Sequence, residues 1–141
     1  IQIARAFTCF QLTELIARVP QFISGFPAQI LIVTAFPELY FDQDIRDWDA
    51  RVAFEQALLH LRCWACQREP ALAVAVFTSS ISFMLPAARR KFLPQMRVAA
   101  TELWRFEAGP QGRLTLSQQP RVDEQTEQIP KRWTETPALQ R

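Results

Sequence analysis

The sequence lacks the features of a membrane protein or a secreted protein. No apolar run approaches the roughly 18 residues that a membrane-spanning helix requires. The N-terminus does not show the basic-then-apolar order of a secretory signal peptide. The chain has only 3 cysteines, so one stays unpaired within the chain and no secreted disulfide framework is indicated. These absences predict a protein without a membrane partner, working in a reducing cytoplasm or, in a eukaryote, the nucleus.

A strong net charge is also missing. The 141 residues carry a formal net charge of +2 at pH 7, which neither favours nor excludes a nucleic-acid partner. The length suits one domain with a core, and the hydrophobic fraction of 49% is typical of a soluble globular protein. The chain begins with Ile1, and IQIARAF reads as a strand already in progress. We therefore expect it to be part of a longer protein.

Two unbroken apolar stretches predict strands that are covered on both faces. Residues 30–33 and 72–77 (LAVAVF) are apolar without polar alternation, as in parallel sheets. A helix is expected between them at residues 50–69, with Asp49 as a candidate N-cap. Strand, helix and strand in this order form a crossover unit. The sequence therefore predicts an α/β fold with a mostly parallel sheet.

The N-terminal segment predicts a strand followed by a helix. Residues 1–6 alternate as in a short strand, and Thr8 and Gln11 stand at capping-box spacing. The predicted helix has an apolar stripe made of Leu12, Leu15, Ile16 and Val19. Pro20 and Gly25 are expected to disrupt or end it.

The C-terminal part predicts a hairpin and a tail. Residues 101–106 and 113–117 alternate, and GPQG at 109–112 is a turn, so we expect an antiparallel hairpin at a sheet edge. Beyond it the chain is rich in Gln, Glu, Thr and Pro, which predicts disorder. We therefore divide the chain into a core at residues 1–118 and a flexible or disordered tail at 119–141.

The order of these elements resembles the second half of the RecA/RadA-type strand-exchange ATPase core. The stretches that carry the resemblance are IQIARAFT, ILIVTAFPELY, LAVAVFTSS and ATELWRFEAG, and the likeness covers residues 1–117. The resemblance implies a RecA-like P-loop ATPase core, present in part, with a C-terminal antiparallel hairpin. It also implies ATP and Mg²⁺ as cofactors of the family, single-stranded DNA as a partner, and roles in DNA recombination and repair.

The positions that handle the nucleotide in that family are replaced here. The resemblance places the Walker B strand at residues 31–33, followed in the family by an Asp that orients Mg²⁺ but here by Thr34. The next strand ends in the family in a Gln that senses the terminal phosphate, and here Ser80 stands at that position. The sequence also contains no G-x-x-x-x-G-K-[ST] loop. Phosphoryl transfer depends on positioned cations. We therefore expect this chain to have the strand arrangement of the family without its ATP hydrolysis.

An acidic loop follows the Walker B-like strand and offers a replacement ligand. Its acidic residues are Glu38, Asp42, Asp44, Asp47 and Asp49. One of them, with Glu38 nearest to the strand, is a candidate metal ligand supplied from the loop. The alternative is a solvated acidic loop before a helix.

Residues 70–101 contain no acidic residue. The cations in this segment are Arg89, Arg90, Lys91 and Arg97. The side chains among them that are able to stack or pack are Phe83, Phe92 and Met96. In the resembled family the loop after the second strand contacts single-stranded DNA, where cations hold phosphates and aromatic rings stack on bases. The alternative is a helix with a solvated basic face and aromatic side chains packed inward.

The long helix carries two apolar stripes. The first consists of Phe54, Leu58, Leu61 and Ala65. The second lies roughly on the opposite side and consists of Val52, Leu59, Cys63 and Cys66. A helix that covers a sheet needs one buried face. The second stripe is therefore a candidate interface with another subunit or an upstream portion of the protein, with further packing in the same domain as the alternative.

The pair Cys63 and Cys66 has the spacing of redox or zinc-binding cysteines, with His60 three residues earlier. A zinc site needs about four ligands, so Cys9 would have to join from another element. A redox pair normally lies at the start of a helix, whereas this pair lies near the end of one. We expect these cysteines to pack as small apolar side chains, and we assign no metal site.

Two functions follow from the resemblance. The first is a non-catalytic relative of the recombinases, a pseudo-ATPase that binds DNA or an active recombinase. The second is an ATP-dependent DNA-binding recombinase subunit whose phosphate loop lies upstream of this sequence. The expected protein partner is a RecA-like paralogue or a second copy of the chain. Thr34 and Ser80 favour the first function, and we expect this chain alone to hydrolyse no ATP.

Overall fold

The computed structural model describes residues 1–67, 72–78 and 87–120. The chain divides into two compact units, Ile1–Ala99 and Ala100–Arg141. Helices and a parallel strand pair form the first unit, and the described part of the second is an antiparallel hairpin. The predicted mixed α/β class, with parallel strands and a C-terminal hairpin, is confirmed. Among the described residues, no helix combines the length and apolar character needed to cross a membrane.

The first unit begins with two helices, α1 (Cys9–Ala17) and α2 (Val19–Ser24). Thr8 is the N-cap of α1, and its Oγ1 accepts a hydrogen bond from the Gln11 backbone N–H at 3.2 Å. The Gln11 side chain accepts in turn from the N–H of Phe7 at 2.8 Å. The Thr8 bond satisfies an amide that the helix start leaves without a partner, so the predicted N-cap is confirmed. The Gln11 side chain accepts from Phe7, one residue before the N–H that a capping box uses.

The N-terminal residues differ from the sequence-based prediction. Residues 1–6 form no strand, so the strand predicted there is wrong. A strand needs a neighbour, and within the described residues the two parallel strands pair only with each other. The helix break is confirmed, because Pro20 lies in the first turn of α2 and Gly25 caps its end.

The centre of the first unit is a parallel strand pair with a helical crossover. Its elements are β1 (Ile30–Thr34), α3 (Asp47–Cys66) and β2 (Ala73–Phe77). In the register, Thr34 pairs with Phe77, so the carboxyl ends of both strands meet at one edge. Parallel strands require such a crossover, and the predicted strand–helix–strand unit is confirmed. The predicted Asp49 N-cap is wrong, because α3 begins at Asp47 with Arg46 at the cap position.

One face of the strand pair packs on an aromatic core. Phe54 of α3 stacks on Phe92 with ring centroids 4.2 Å apart and on Phe36 at 5.3 Å. Tyr40 meets Phe36 edge to face at 5.2 Å. These rings are buried together with Val33 of β1. Phe92 begins the last helix of this unit, α4 (Phe92–Ala99), so the core joins α4 to α3.

The opposite face of the strand pair carries apolar side chains that the described residues leave in contact with solvent. Ile30 and Ile32 are 61% and 60% exposed, and Phe77 of β2 is also exposed. The unbroken apolar character of the strands predicted cover on both faces. Within residues 1–67, 72–78 and 87–120, only the face toward the aromatic core is covered.

The second unit contains strands β3 (Leu103–Ala108) and β4 (Leu114–Gln119), which pair antiparallel. A short 3₁₀ turn at Pro110–Gly112 joins them and confirms the predicted GPQG turn. The described strands β3 and β4 form a two-stranded sheet of their own and do not extend the parallel pair. The predicted tail at 119–141 overlaps β4 at Gln119, and residues 121–141 lie outside the described residues.

Candidate functional site

The carboxyl edge of the parallel pair brings together positions that the sequence analysis selected. Thr34 ends β1 and is exposed, and Thr78 follows β2 directly and is also exposed. Open α/β sheets bind ligands outside the carboxyl ends of their strands, which is where both hydroxyls lie. Thr78 was not among the predicted site residues, and Ser80, the position that the resemblance assigns to the phosphate-sensing residue, lies outside the described residues.

Glu38 supplies a carboxylate to this edge from the loop after β1. It begins a 3₁₀ turn, Glu38–Phe41, and its side chain is half-buried. The Thr78 hydroxyl donates a hydrogen bond to Glu38 Oε1 at 3.0 Å. Ala35 makes the approach possible by turning the chain with a φ of 58°, in the left-handed region that non-glycine residues rarely adopt. The edge therefore presents a loop carboxylate beside strand-end hydroxyls.

The other acidic side chains near this edge mainly shape the loop that carries them. Asp42 accepts a hydrogen bond from the Asp44 backbone N–H at 3.0 Å. Asp49 pairs with Arg46 at 2.7 Å, and Asp47 pairs with Arg89 at 2.8 Å. In the part of the chain that the structure describes, no three His, Cys, Asp or Glu side chains come together as a metal site.

Arg89, predicted to hold DNA phosphates, is buried with only 2% of its surface exposed. Its Nε donates to Asp47 Oδ1 at 2.8 Å and its Nη1 to the Tyr40 carbonyl at 3.2 Å. The terminal nitrogens also donate to the carbonyls of Asp42 and Ile45. In this arrangement the guanidinium group of Arg89 faces the acidic loop and not the solvent from which a phosphate would approach.

The remaining predicted cations, Arg90, Lys91 and Arg97, are exposed. Arg90 and Lys91 lie directly before α4, and Arg97 lies in its last turn. The predicted stacking side chains are placed differently: Phe92 is 2% exposed and Met96 packs against the core. For these side chains the alternative, a solvated basic face with inward aromatic packing, describes the structure. Phe83 lies outside the described residues.

A sequence signal separates these inward and outward positions. Arg89, Phe92 and Met96 follow each other at spacings of three and four, which place side chains on one face of a helical segment. Arg90 and Arg97 fall seven residues apart on another face. This periodicity indicates which of the four cations is buried, whereas positive charge alone does not distinguish Arg89 from its neighbours.

The second stripe of α3 is largely exposed to solvent, which is expected for an interface when the partner is absent. Leu59 is 60% exposed, Cys63 and Cys66 are exposed, and Val52 is half-buried. Trp48, in the first turn of α3, extends the same surface and is 69% exposed. Cys63 and Cys66, which are expected to pack as small apolar side chains, are exposed among the described residues, whereas Cys9 is fully buried. The interface itself stays a prediction.

Comparisons of the chain with protein-family models, with curated proteins and with solved structures found no match.

Proposed function

We propose that this chain is a DNA recombination or repair protein of the RecA/RadA-like class. Its binding partner is either DNA or an active recombinase, and the chain does not hydrolyse ATP itself. The observation that carries the proposal is the neutral residue Thr34 at the carboxyl edge of β1 and β2. The parallel strand pair and its crossover helix are compatible with the resemblance, as they are with other parallel α/β folds. At the strand end, Thr34 supplies a hydroxyl and no charge. A hydroxyl adds no negative charge to hold Mg²⁺, which prefers carboxylate ligands in such sites.

The exposed cations support single-stranded DNA as the partner. Arg90, Lys91 and Arg97 lie on and beside α4 with their side chains in solvent. Each phosphate neutralised on a single strand contributes roughly −0.7 to the slope of log affinity against log salt concentration. Three such contacts give a slope of about −2. With Arg89 buried, a slope near the value for four contacts is not expected.

The test is a fluorescence anisotropy titration of a labelled oligothymidylate at several salt concentrations. Replacing Arg90 and Lys91 together with Ala is expected to weaken binding and bring the slope to about −0.7. The matched control replaces Arg62 and Arg113, exposed cations elsewhere on the chain, with Ala. This control removes the same net charge and should bind nearly as well as the wild type. Binding that is insensitive to salt, or an equal loss in both double variants, contradicts the DNA-binding proposal.

Glu38 favours a second candidate, the ATP-dependent recombinase subunit. Its half-buried carboxylate lies at the edge where the resembled family holds Mg²⁺, and Thr78 orients it by a hydrogen bond. In this alternative the loop supplies the ligand that the strand has lost, and the phosphate loop comes from outside this sequence.

Nucleotide binding with and without Mg²⁺ separates the two candidates when it is measured on the longer protein that the second candidate requires, with the phosphate loop included. The non-catalytic function predicts no Mg²⁺-dependent ATP binding by the wild type and none by a Glu38→Gln variant. Mg²⁺-dependent binding that Glu38→Gln abolishes supports the second candidate. A Thr34→Asp variant restores the missing carboxylate, and Mg²⁺-dependent binding gained by this variant would show that the edge still has the geometry of a metal site.

A further inference from the structure

The buried guanidinium group of Arg89 is surrounded by hydrogen-bond acceptors. The hydrogen-bond acceptors around it are the Asp47 carboxylate and the backbone carbonyls of Tyr40, Asp42 and Ile45. All of them belong to one short stretch, residues 40–47, which runs from the 3₁₀ turn after β1 to the first residue of α3. A guanidinium group carries five N–H donors in a fixed planar fork, so one side chain is able to hold several carbonyls of a loop at once.

The residues next to Arg89 are held by this contact and by a second one. Arg90 and Lys91 stand between Arg89, which is fixed to residues 40–47, and Phe92, whose ring stacks on Phe54 at 4.2 Å. Both flanking side chains are 2% exposed, whereas Arg90 and Lys91 are exposed. The backbone that carries these cations is thus fixed on each side by a buried side chain.

We propose that Arg89 is a positioning residue that holds residues 40–47 and thereby sets the positions of Arg90 and Lys91 for an anionic backbone. This inference rests on the proposed function, because single-stranded DNA is the anion in question. Arg89 itself touches no phosphate. It acts through its neighbours, which are aligned only while the guanidinium group keeps its hydrogen bonds to residues 40–47.

A direct phosphate contact and a positioning role give different expectations for a charge-conserving change. Arg89→Lys keeps the positive charge, but an ammonium group is a compact donor that does not reproduce the planar fork. If Arg89 contacted phosphate directly, Lys would largely preserve binding. If Arg89 positions its neighbours, Arg89→Lys weakens binding although the net charge is unchanged.

Asp47 provides an independent test from the other side of the contact. Asp47→Asn removes a negative charge, and by long-range electrostatics alone it should strengthen the binding of an anion. The positioning role predicts weaker binding instead, because the charge partner of Arg89 is lost. Asp44→Asn is the matched control: it removes the same charge from the same loop, and the Asp44 side chain makes no contact with Arg89.

The experiment is the same oligothymidylate titration, with the salt slope measured for each variant. Arg89→Lys and Asp47→Asn are expected to lower affinity and to reduce the magnitude of the slope by up to about 1.4, the contribution of two phosphate contacts. Asp44→Asn should bind as tightly as the wild type or more tightly. Wild-type affinity and slope in Arg89→Lys would overturn the positioning role, as would tighter binding by Asp47→Asn.

Amide hydrogen exchange of the same variants separates failure of this inference from failure of the proposed function. The Ile45 N–H donates to the Asp42 carbonyl at 3.3 Å, within the stretch that Arg89 holds. Its exchange should be faster in Arg89→Lys and Asp47→Asn than in the wild type, and unchanged in Asp44→Asn. If the wild type does not bind DNA, the proposed function fails and the DNA part of this inference fails with it. An unchanged exchange rate of the Ile45 N–H in Arg89→Lys would contradict the role of Arg89 in holding residues 40–47, whether or not the protein binds DNA.

Discussion

The two strand pairs in the described part of the chain are both short, but they differ in how far their apolar side chains are buried. The parallel pair packs Val33 against an aromatic core and leaves it 5% exposed, whereas Phe106 and Leu114 of the hairpin are 58% and 71% exposed. An isolated two-stranded ribbon is marginal in water, so cover on at least one face provides most of the stability. The comparison teaches that an apolar strand residue stabilises the fold only where another element packs on it.

Removing an aromatic ring from each region tests this difference most strongly. Phe54→Ala should reduce the free energy of unfolding by about 3–5 kcal/mol, because a buried ring leaves a cavity among its neighbours. Phe106→Ala removes the same atoms from an exposed position and should cost no more than about 0.5 kcal/mol. Urea denaturation followed by circular dichroism measures both. Similar losses in the two variants would mean that the hairpin face is as well covered as the core.

The phenol of Tyr40 gives a second, pH-dependent test of the aromatic core. Tyr40 is the only tyrosine in the sequence, so tyrosinate absorbance reports on this residue alone. Burial raises its pKa, while the hydrogen bond with Thr13 Oγ1 at 2.8 Å acts in the opposite direction and is the smaller effect. We expect tyrosinate to appear at a higher pH in the folded protein than in urea, where the ordinary value of about 10 applies.

The sign of the stability effect follows from the direction of this shift. The folded state retains the Tyr40 proton, so its contribution is complete below the ordinary pKa and is lost as pH rises above it. Burial also raises the pKa of Cys9, whose contribution declines from a lower pH, near 8.5.

Tyr40→Phe should cost about 1 kcal/mol near neutral pH for the lost hydrogen bond. It should also remove the part of the alkaline decline that begins near pH 10. An identical decline in both proteins would contradict the burial of Tyr40.

One glycine in each unit gives a comparison in which the two effects are expected to have opposite signs. Gly112 has a φ of 73° in the hairpin turn, so Gly112→Ala should destabilise the protein by about 1 kcal/mol. Gly25 ends α2 with a φ of −98° and open space around its Cα. Gly25→Ala should therefore stabilise by about 0.4–1 kcal/mol, through the lower entropy of the unfolded chain. Thermal unfolding of the two variants should shift in opposite directions, and a shift in the same direction would contradict the turn geometry.

The features that the sequence predicted correctly depend on local patterns. The unbroken apolar character of β1 and β2, with a helical length between them, was sufficient for the parallel crossover. Thr8 and Gln11 predicted the start of α1, because a cap depends only on residues within a few positions of it.

The features that the sequence missed depend on distant residues. The acceptors of Arg89 lie more than forty positions earlier in the chain, and no local pattern identifies them. The hydrogen bond between Thr78 and Glu38 joins the ends of two strands that become neighbours only in the folded sheet. Residues 1–6 alternate as a strand does, but pattern alone does not supply the neighbouring strand that pairing requires.

The cysteines of α3 have a practical consequence. Cys63 and Cys66 are open to solvent on the exposed stripe, whereas Cys9 is enclosed in the core. Thiol-reactive reagents modify accessible thiols in preference to buried ones. We therefore expect a spectroscopic label to attach to this helix without any added cysteine. A spin label or fluorophore attached there would report directly when another molecule comes to rest against the helix.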